Sequence, residues 1–388
     1  MSPQVRNSDY FIVGLLIIMS VSPLIEGPVR LAGYLLLLLA LILRFPQQKA
    51  DATPVIFIVI GFLFAVIQDI FWPLPSPLQV LGTHVLFFSG LALGWVVARR
   101  IPVSRIEKAL AFWAFAFAFC SLVGVAIYTF TPSIVHALPS YGYQGTTHHT
   151  IGISNLLVYP DGLVVNRNSG IASEPGLFQM VLNLGVAAML RFPKENFDAF
   201  WFFKLGVIGF AIFTTRSTMG LAVFCFLILI GALRSKRLIF GLALSIFLTW
   251  EAIWLEATYQ QENKLMGSEA FAGRFLPMQT IFSEFITQPL GVGIARYNAQ
   301  YIEMNWGSFD SFSQVLIRYG FPLALVLSFL LLRSLFETPL SVIVIALTLA
   351  SQPIWATPLV AYFYFCRRNT SEIKKDQPIA KYQVRSSL

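Results

Sequence analysis

Eight side chains in an otherwise oily sequence have the types needed to hold concentrated negative charge and to move a proton. Arg167, Arg216, Arg274 and Arg296 carry permanent charge with paired donors that grip phosphate oxygens. His148, His149, Glu174 and Asp310 are candidate proton acceptors, and a histidine suits that task near neutral pH. Such a set fits displacement of a phosphate leaving group by a hydroxyl.

Each candidate has a plainer reading beside it. Arg216 sits in Thr215-Arg216-Ser217, a tight turn between two apolar runs, where a cation is costly unless paired or functional. A snorkelling anchor explains it too. Arg274 falls inside the apolar stripe of Phe271, Phe275, Met278, Ile281, Phe282, Phe285 and Ile286, and either substrate binding or interfacial anchoring accounts for it. Arg296, with Arg318 as a second-tier companion, lies beside Gly291-Val292-Gly293, a stretch that lets a ligand approach backbone. Glu174 belongs to Ser173-Glu174-Pro175-Gly176, which also reads as a helix start with Ser173 as N-cap. His148-His149 also fits a solvated pair, and two adjacent histidines without a third ligand make a poor zinc site. No metal and no cofactor is therefore expected.

The elements that must position these residues are set by composition. Of 388 residues, 56% are hydrophobic and 12% charged, and the apolar residues come in runs of about 17 to 22. This is an all-α polytopic membrane protein, since a backbone in lipid must satisfy its own hydrogen bonds. Spans are expected near 10–26, 28–43, 54–72, 78–98, 109–130, 174–190, 198–214, 217–233, 238–255 and 312–332. The apolar region 339–366, interrupted by Pro353 and Pro358, is read as two short helices or a re-entrant pair. About twelve crossings result, with eleven as the alternative.

The chain thus divides into N-terminal spans (1–130), a first outer loop (131–173), central spans (174–255), a second outer loop (256–311), C-terminal spans (312–366) and a basic tail (367–388). With the N-terminus inside, most of the 27 lysines and arginines fall on the cytoplasmic side, so the net charge of +8 reflects topology and anionic lipid and calls for no nucleic acid. Cys120, Cys225 and Cys366 lie in or at the ends of spans, which argues against disulfides. The first span reads as an uncleaved helix, because no clear small-residue cleavage site follows it.

An order of short motifs adds to this. Arg167 and Gly170 precede Ser173-Glu174-Pro175-Gly176; then come Thr215-Arg216-Ser217, Gly273-Arg274, Pro289-Leu290-Gly291-Val292-Gly293 and Asp310-Ser311. Over roughly residues 160–335 this order resembles the Wzy-type oligosaccharide-polymerase family and its O-antigen-ligase relatives. Many members carry His-Asn or Asp-Asn before the serine, where this chain has Phe309-Asp310-Ser311. The resemblance implies a fold like the C superfamily of glycosyltransferases. It also implies joining of undecaprenyl-diphosphate-linked repeats, as O-antigen, capsule or exopolysaccharide, outside the bacterial cytoplasmic membrane. Chain-length regulator and flippase proteins are the partners it suggests. A ligase-type transferase and a transporter of lipid-linked sugar are the alternatives. Polar groups concentrated in outer loops favour an enzyme over a transporter.

Overall fold

The computed structural model describes residues 6–23, 25, 27–44, 53–70, 77–131, 133, 140–143, 146–151, 154–158, 167–191, 198–234, 283, 285–297, 311–350, 352 and 354–366. The expected span 238–255 and the candidates Arg274 and Asp310 lie outside them.

Where apolar runs are long, helices follow: α1 (Asn7–Val21), α2 (Gly27–Arg44), α3 (Thr53–Ile70), α4 (Pro77–Arg100) and α5 (Val103–Phe130). After the first outer segment come α6 (Pro175–Arg191), α7 (Ala199–Thr214) and α8 (Thr218–Arg234). A single turn, α9 (Gly293–Tyr297), precedes α10 (Ser311–Ser334), α11 (Pro339–Leu349) and α12 (Pro358–Phe365). Among the described residues, α3, α4, α5 and α10 are long and apolar enough to cross a membrane, and shorter apolar helices accompany them. Eighteen helical residues reach about 27 Å, close to the hydrocarbon thickness.

Most expected spans fall within a few residues of these helices. The first ends earlier than 26, because Ser22 turns extended ahead of Pro23, which disfavours helix at the preceding residue. The fifth starts earlier than 109, its charged first turns being accommodated by ion pairs. Arg191 Nη1 meets Glu107 Oε2 at 2.7 Å, and Arg105 Nη1 meets Asp9 Oδ2 at 3.5 Å. These pairs gather the starts of α1 and α5 and the end of α6 at one end of the bundle.

The all-α expectation needs correction in the first outer segment. Residues 140–170 carry a four-stranded antiparallel sheet, β1 (Ser140–Tyr143), β2 (Thr146–Ile151), β3 (Ser154–Val158) and β4 (Arg167–Gly170), in the order β1-β2-β3-β4. Tyr, Thr, Ile and Val suit strands, and only two residues separate β1 from β2 and β2 from β3, the spacing of tight hairpins. The sheet rests against α5, α6 and α7.

Helix α6 forms the centre, buried on nearly every side between α5, α8 and α11. Close packing there depends on small residues: Gly185 leaves no room for a Cβ beside Ala114 of α5, and Gly94 of α4 none beside Ala361 of α12. The outer faces expose large apolar side chains such as Leu36, Ile60, Phe203, Phe210, Leu325 and Phe329, as lipid contact requires.

The 339–366 region forms two short helices, α11 and α12. Ser311 Oγ donates to Gln352 O and accepts from Ile354 N (2.7 Å), while Ser334 Oγ donates to Phe363 O. The hairpin is thereby pinned along α10 at both ends. Helix α10 itself breaks at Gly320 (φ 81°), two residues before Pro322. The bond missing from Phe321 N to Ile317 O is replaced from outside: Phe321 N donates to Pro289 O (2.8 Å) and Ile317 O accepts from Val292 N (2.7 Å).

Candidate functional site

The end of the bundle opposite the ion pairs holds the β-sheet, the α7–α8 turn and the start of α6. Strand β4 is fixed first. Asn168 Nδ2 donates to Ser121 Oγ of α5 (3.1 Å) and Thr214 Oγ1 of α7 (2.9 Å), and its Oδ1 accepts from Gly170 N (2.9 Å). Gly170 (φ 52°) then turns the chain toward α6 and makes room for the Phe178 ring.

Anchoring Asn168 delivers Arg167 to the α7–α8 turn. Its Nε donates to Thr215 O (3.1 Å) and its Nη2 to Arg216 O (3.1 Å). Arg216 has φ 50°, the one non-glycine residue with positive φ among those described, a conformation costing roughly 1–2 kcal/mol. The flanking residues explain how it is held: Thr215 Oγ1 accepts from Ser217 N (3.3 Å), and Ser217 Oγ accepts from Gly220 N (3.2 Å) at the start of α8. The turn closes around its backbone and leaves the Arg216 side chain exposed.

Glu174 joins the same neighbourhood. Its carbonyl accepts from Leu177 N and Phe178 N (both 3.1 Å), so Glu174, and not the expected Ser173, stands at the head of α6. Ser173 instead ties the segment to α1 through its N–H to Val21 O (2.9 Å). The Glu174 carboxyl is half-buried, and burial raises its pKa above the ordinary value; the Gln352 side-chain hydrogen bond and the Arg167 charge pull it partly back. Gly176 matters here because a Cβ would strike the Gln352 amide. Gln352, hidden in a stretch that reads as apolar hairpin, is the site residue that sequence reasoning missed.

The two histidines part company. Pairing across the sheet puts His149 in register with Leu156, itself paired with Asn168. His149 is 8% exposed. His148 occupies the next row, with Leu157 and Arg167.

Arg296 belongs elsewhere. Its Nη1 donates to Gln288 Oε1 (3.0 Å), and α9 packs on α3 and α10. The nearby glycines admit protein and not a ligand: Gly291 (φ 86°) abuts the backbone of Gly320, and Gly293 (φ 77°) abuts the Asp69 carboxylate. Asp69 is buried with His84 (Oδ2 to Nε2, 2.6 Å) while Oδ1 accepts from Ala295 N (3.0 Å). His84 carried no sequence signal beyond its place in an apolar run.

Among the described residues no cluster of three His, Cys, Asp or Glu is placed to hold a metal ion, and the three cysteines are free thiols. Long apolar helices with apolar outer faces around a buried α6 define a helical membrane protein. No family model, curated protein or solved structure matches the chain.

Proposed function

We propose that the protein is a membrane glycosyltransferase that elongates surface polysaccharide by joining undecaprenyl-diphosphate-linked repeat units at the outer face of the bacterial cytoplasmic membrane. The observation that carries this reading is the meeting of Arg167, Glu174 and the exposed Arg216 at one end of the bundle. The order of motifs described above supports it.

In this reading Arg216 holds the diphosphate of the donor, and Arg167 is a positioning residue that fixes the carbonyls of the Arg216 turn. The acceptor sugar hydroxyl attacks the anomeric carbon, its proton passes to the Glu174 carboxylate, and the bond from that carbon to the diphosphate oxygen breaks. Negative charge grows on the departing diphosphate, where a preorganised guanidinium acts most strongly. A carboxyl with its pKa raised by burial is a better proton acceptor than a solvated one.

The test is incubation of the purified protein with a lipid-diphosphate-linked repeat unit, products being resolved on a gel. A ladder of increasing repeat number is expected, and its absence with a native substrate and folded protein overturns the reading. The buried Asp69–His84 pair favours a second reading, a transporter of lipid-linked sugar, since ionisable pairs inside spans mark transport paths. A transporter would move that substrate across a vesicle membrane and form no glycosidic bond.

A further inference from the structure

A cavity of about 160 Å³ lies between α2, α4, α10 and residues 354–357. Its lining includes Arg30, Tyr34, Gln314, Arg318, Tyr319 and Trp355, and no Asp or Glu. Three lining groups are buried without a hydrogen-bond partner among the described residues: Arg318 Nε, Tyr319 OH and Trp355 Nε1. Tyr319 is 2% exposed and Trp355 5%, so solvent does not satisfy them. All three are donors, and orphaned buried donors of this kind are destabilising unless something accepts from them.

The charges point the same way. Arg30 is held by Ile25 O (2.6 Å) and Ser22 O (3.0 Å), neutral carbonyls that orient a cation without neutralising it. Arg318 lies over the Tyr297 ring at 4.2 Å and forms no ion pair with a described carboxylate. The acid on the far side of Tyr319, Asp69, has both oxygens engaged, by His84 and by Ala295 N. Two guanidiniums and three unused donors around a space without acids match an anion that accepts from every side. The volume is below the ~300–1,000 Å³ of pockets that enclose drug-sized ligands and suits a single phosphate-sized group.

We propose that this cavity is a phosphate-binding site, taking either the headgroup phosphate of a membrane lipid or a free phosphate compound. The inference does not depend on the polymerase reading.

The test follows the thermal midpoint of the purified full-length chain in neutral detergent, because a ligand that binds only the folded state raises it. Two probes are titrated, sodium pyrophosphate and dioleoylphosphatidylglycerol, with dioleoylglycerol as the lipid lacking phosphate. Titrations are repeated in Arg216→Ala, so that phosphate held at the turn is told apart. A saturable rise is expected with at least one probe and not with dioleoylglycerol, and it persists in Arg216→Ala. Arg318→Gln, Tyr319→Phe and Trp355→Phe, each compared with its own ligand-free midpoint, weaken the apparent affinity at least about tenfold, as loss of a charge-assisted bond does. A response to the lipid alone assigns a headgroup, and a response to pyrophosphate assigns a free phosphate compound. No saturable rise with either probe, a rise that vanishes in Arg216→Ala, or one that survives all three cavity variants overturns the proposal.

Discussion

Two places in this molecule gather a pair of arginines at the same end of the bundle, and they treat them oppositely. At the α7–α8 turn, Arg167 donates to the carbonyls of Thr215 and Arg216, and the remaining charge, on Arg216, faces outward. In the cavity, Arg30 is oriented by carbonyls, but the donors of Arg318, Tyr319 and Trp355 have no hydrogen-bond partner among the described residues. The turn is therefore an exposed charge on a satisfied frame, suited to a ligand that comes and goes. The cavity is an unsatisfied frame, suited to one that stays.

The largest effect that sharpens this contrast is at Arg216. Replacing it with Ala should abolish long-chain product, on the scale of about 10²–10³ for a lost charge-stabilising donor, while the protein still accumulates in the membrane. Full-length polymer in that variant would mean that the exposed charge is only an anchor. Arg167→Ala comes next: with two carbonyls released, the left-handed Arg216 relaxes and activity falls. Arg167→Lys should fail to restore it, because an ammonium cannot span both carbonyls. Rescue by lysine, measured as product length on the same gel, would reduce Arg167 to a simple charge.

Glu174 gives a pH-dependent break point. Its folded-state pKa is raised, first by burial, so the neutral carboxyl contributes stability that is fully present below the ordinary carboxylate value. That contribution is lost as pH rises through the raised value. The thermal midpoint of the wild type should therefore fall relative to Glu174→Gln across that window, while transfer activity rises. A wild type and a Gln variant with parallel midpoints would show that the carboxyl is not buried as described. The smallest expected effect is in the frame itself: Asn168→Ala, which removes the ties to Ser121, Thr214 and Gly170, should cost about 1–3 kcal/mol in unfolding free energy. A silent Asn168→Ala would mean that β4 is held by its backbone alone.

The helices were legible because a span has to be apolar along its length, and a run such as 54–72 has no other plausible use. The sheet was not, since its strands are four to six residues each and their pairing, not their composition, makes them. Of the candidate site, Arg216 was visible as a charge in a costly place, Arg167 as a cation suited to phosphate and Glu174 as part of a helix-start motif. Gln352 was invisible because what matters about it is the space left by Gly176, a relation between segments far apart in the chain. Gly291 and Gly293 were legible as points of close approach. What approaches is the protein's own backbone and Asp69, which spacing alone does not reveal.

The break in α10 bears on how the protein is made. At Gly320 the helix lacks its own bond, and the backbone groups so freed are satisfied by Pro289 and Val292, from a segment synthesised earlier. A lone span with unpaired backbone groups is penalised in lipid by several kcal/mol per group. Helix α10 is consequently not an independent unit of insertion: its second half leaves the translocation machinery into a place that residues 289–292 must already occupy.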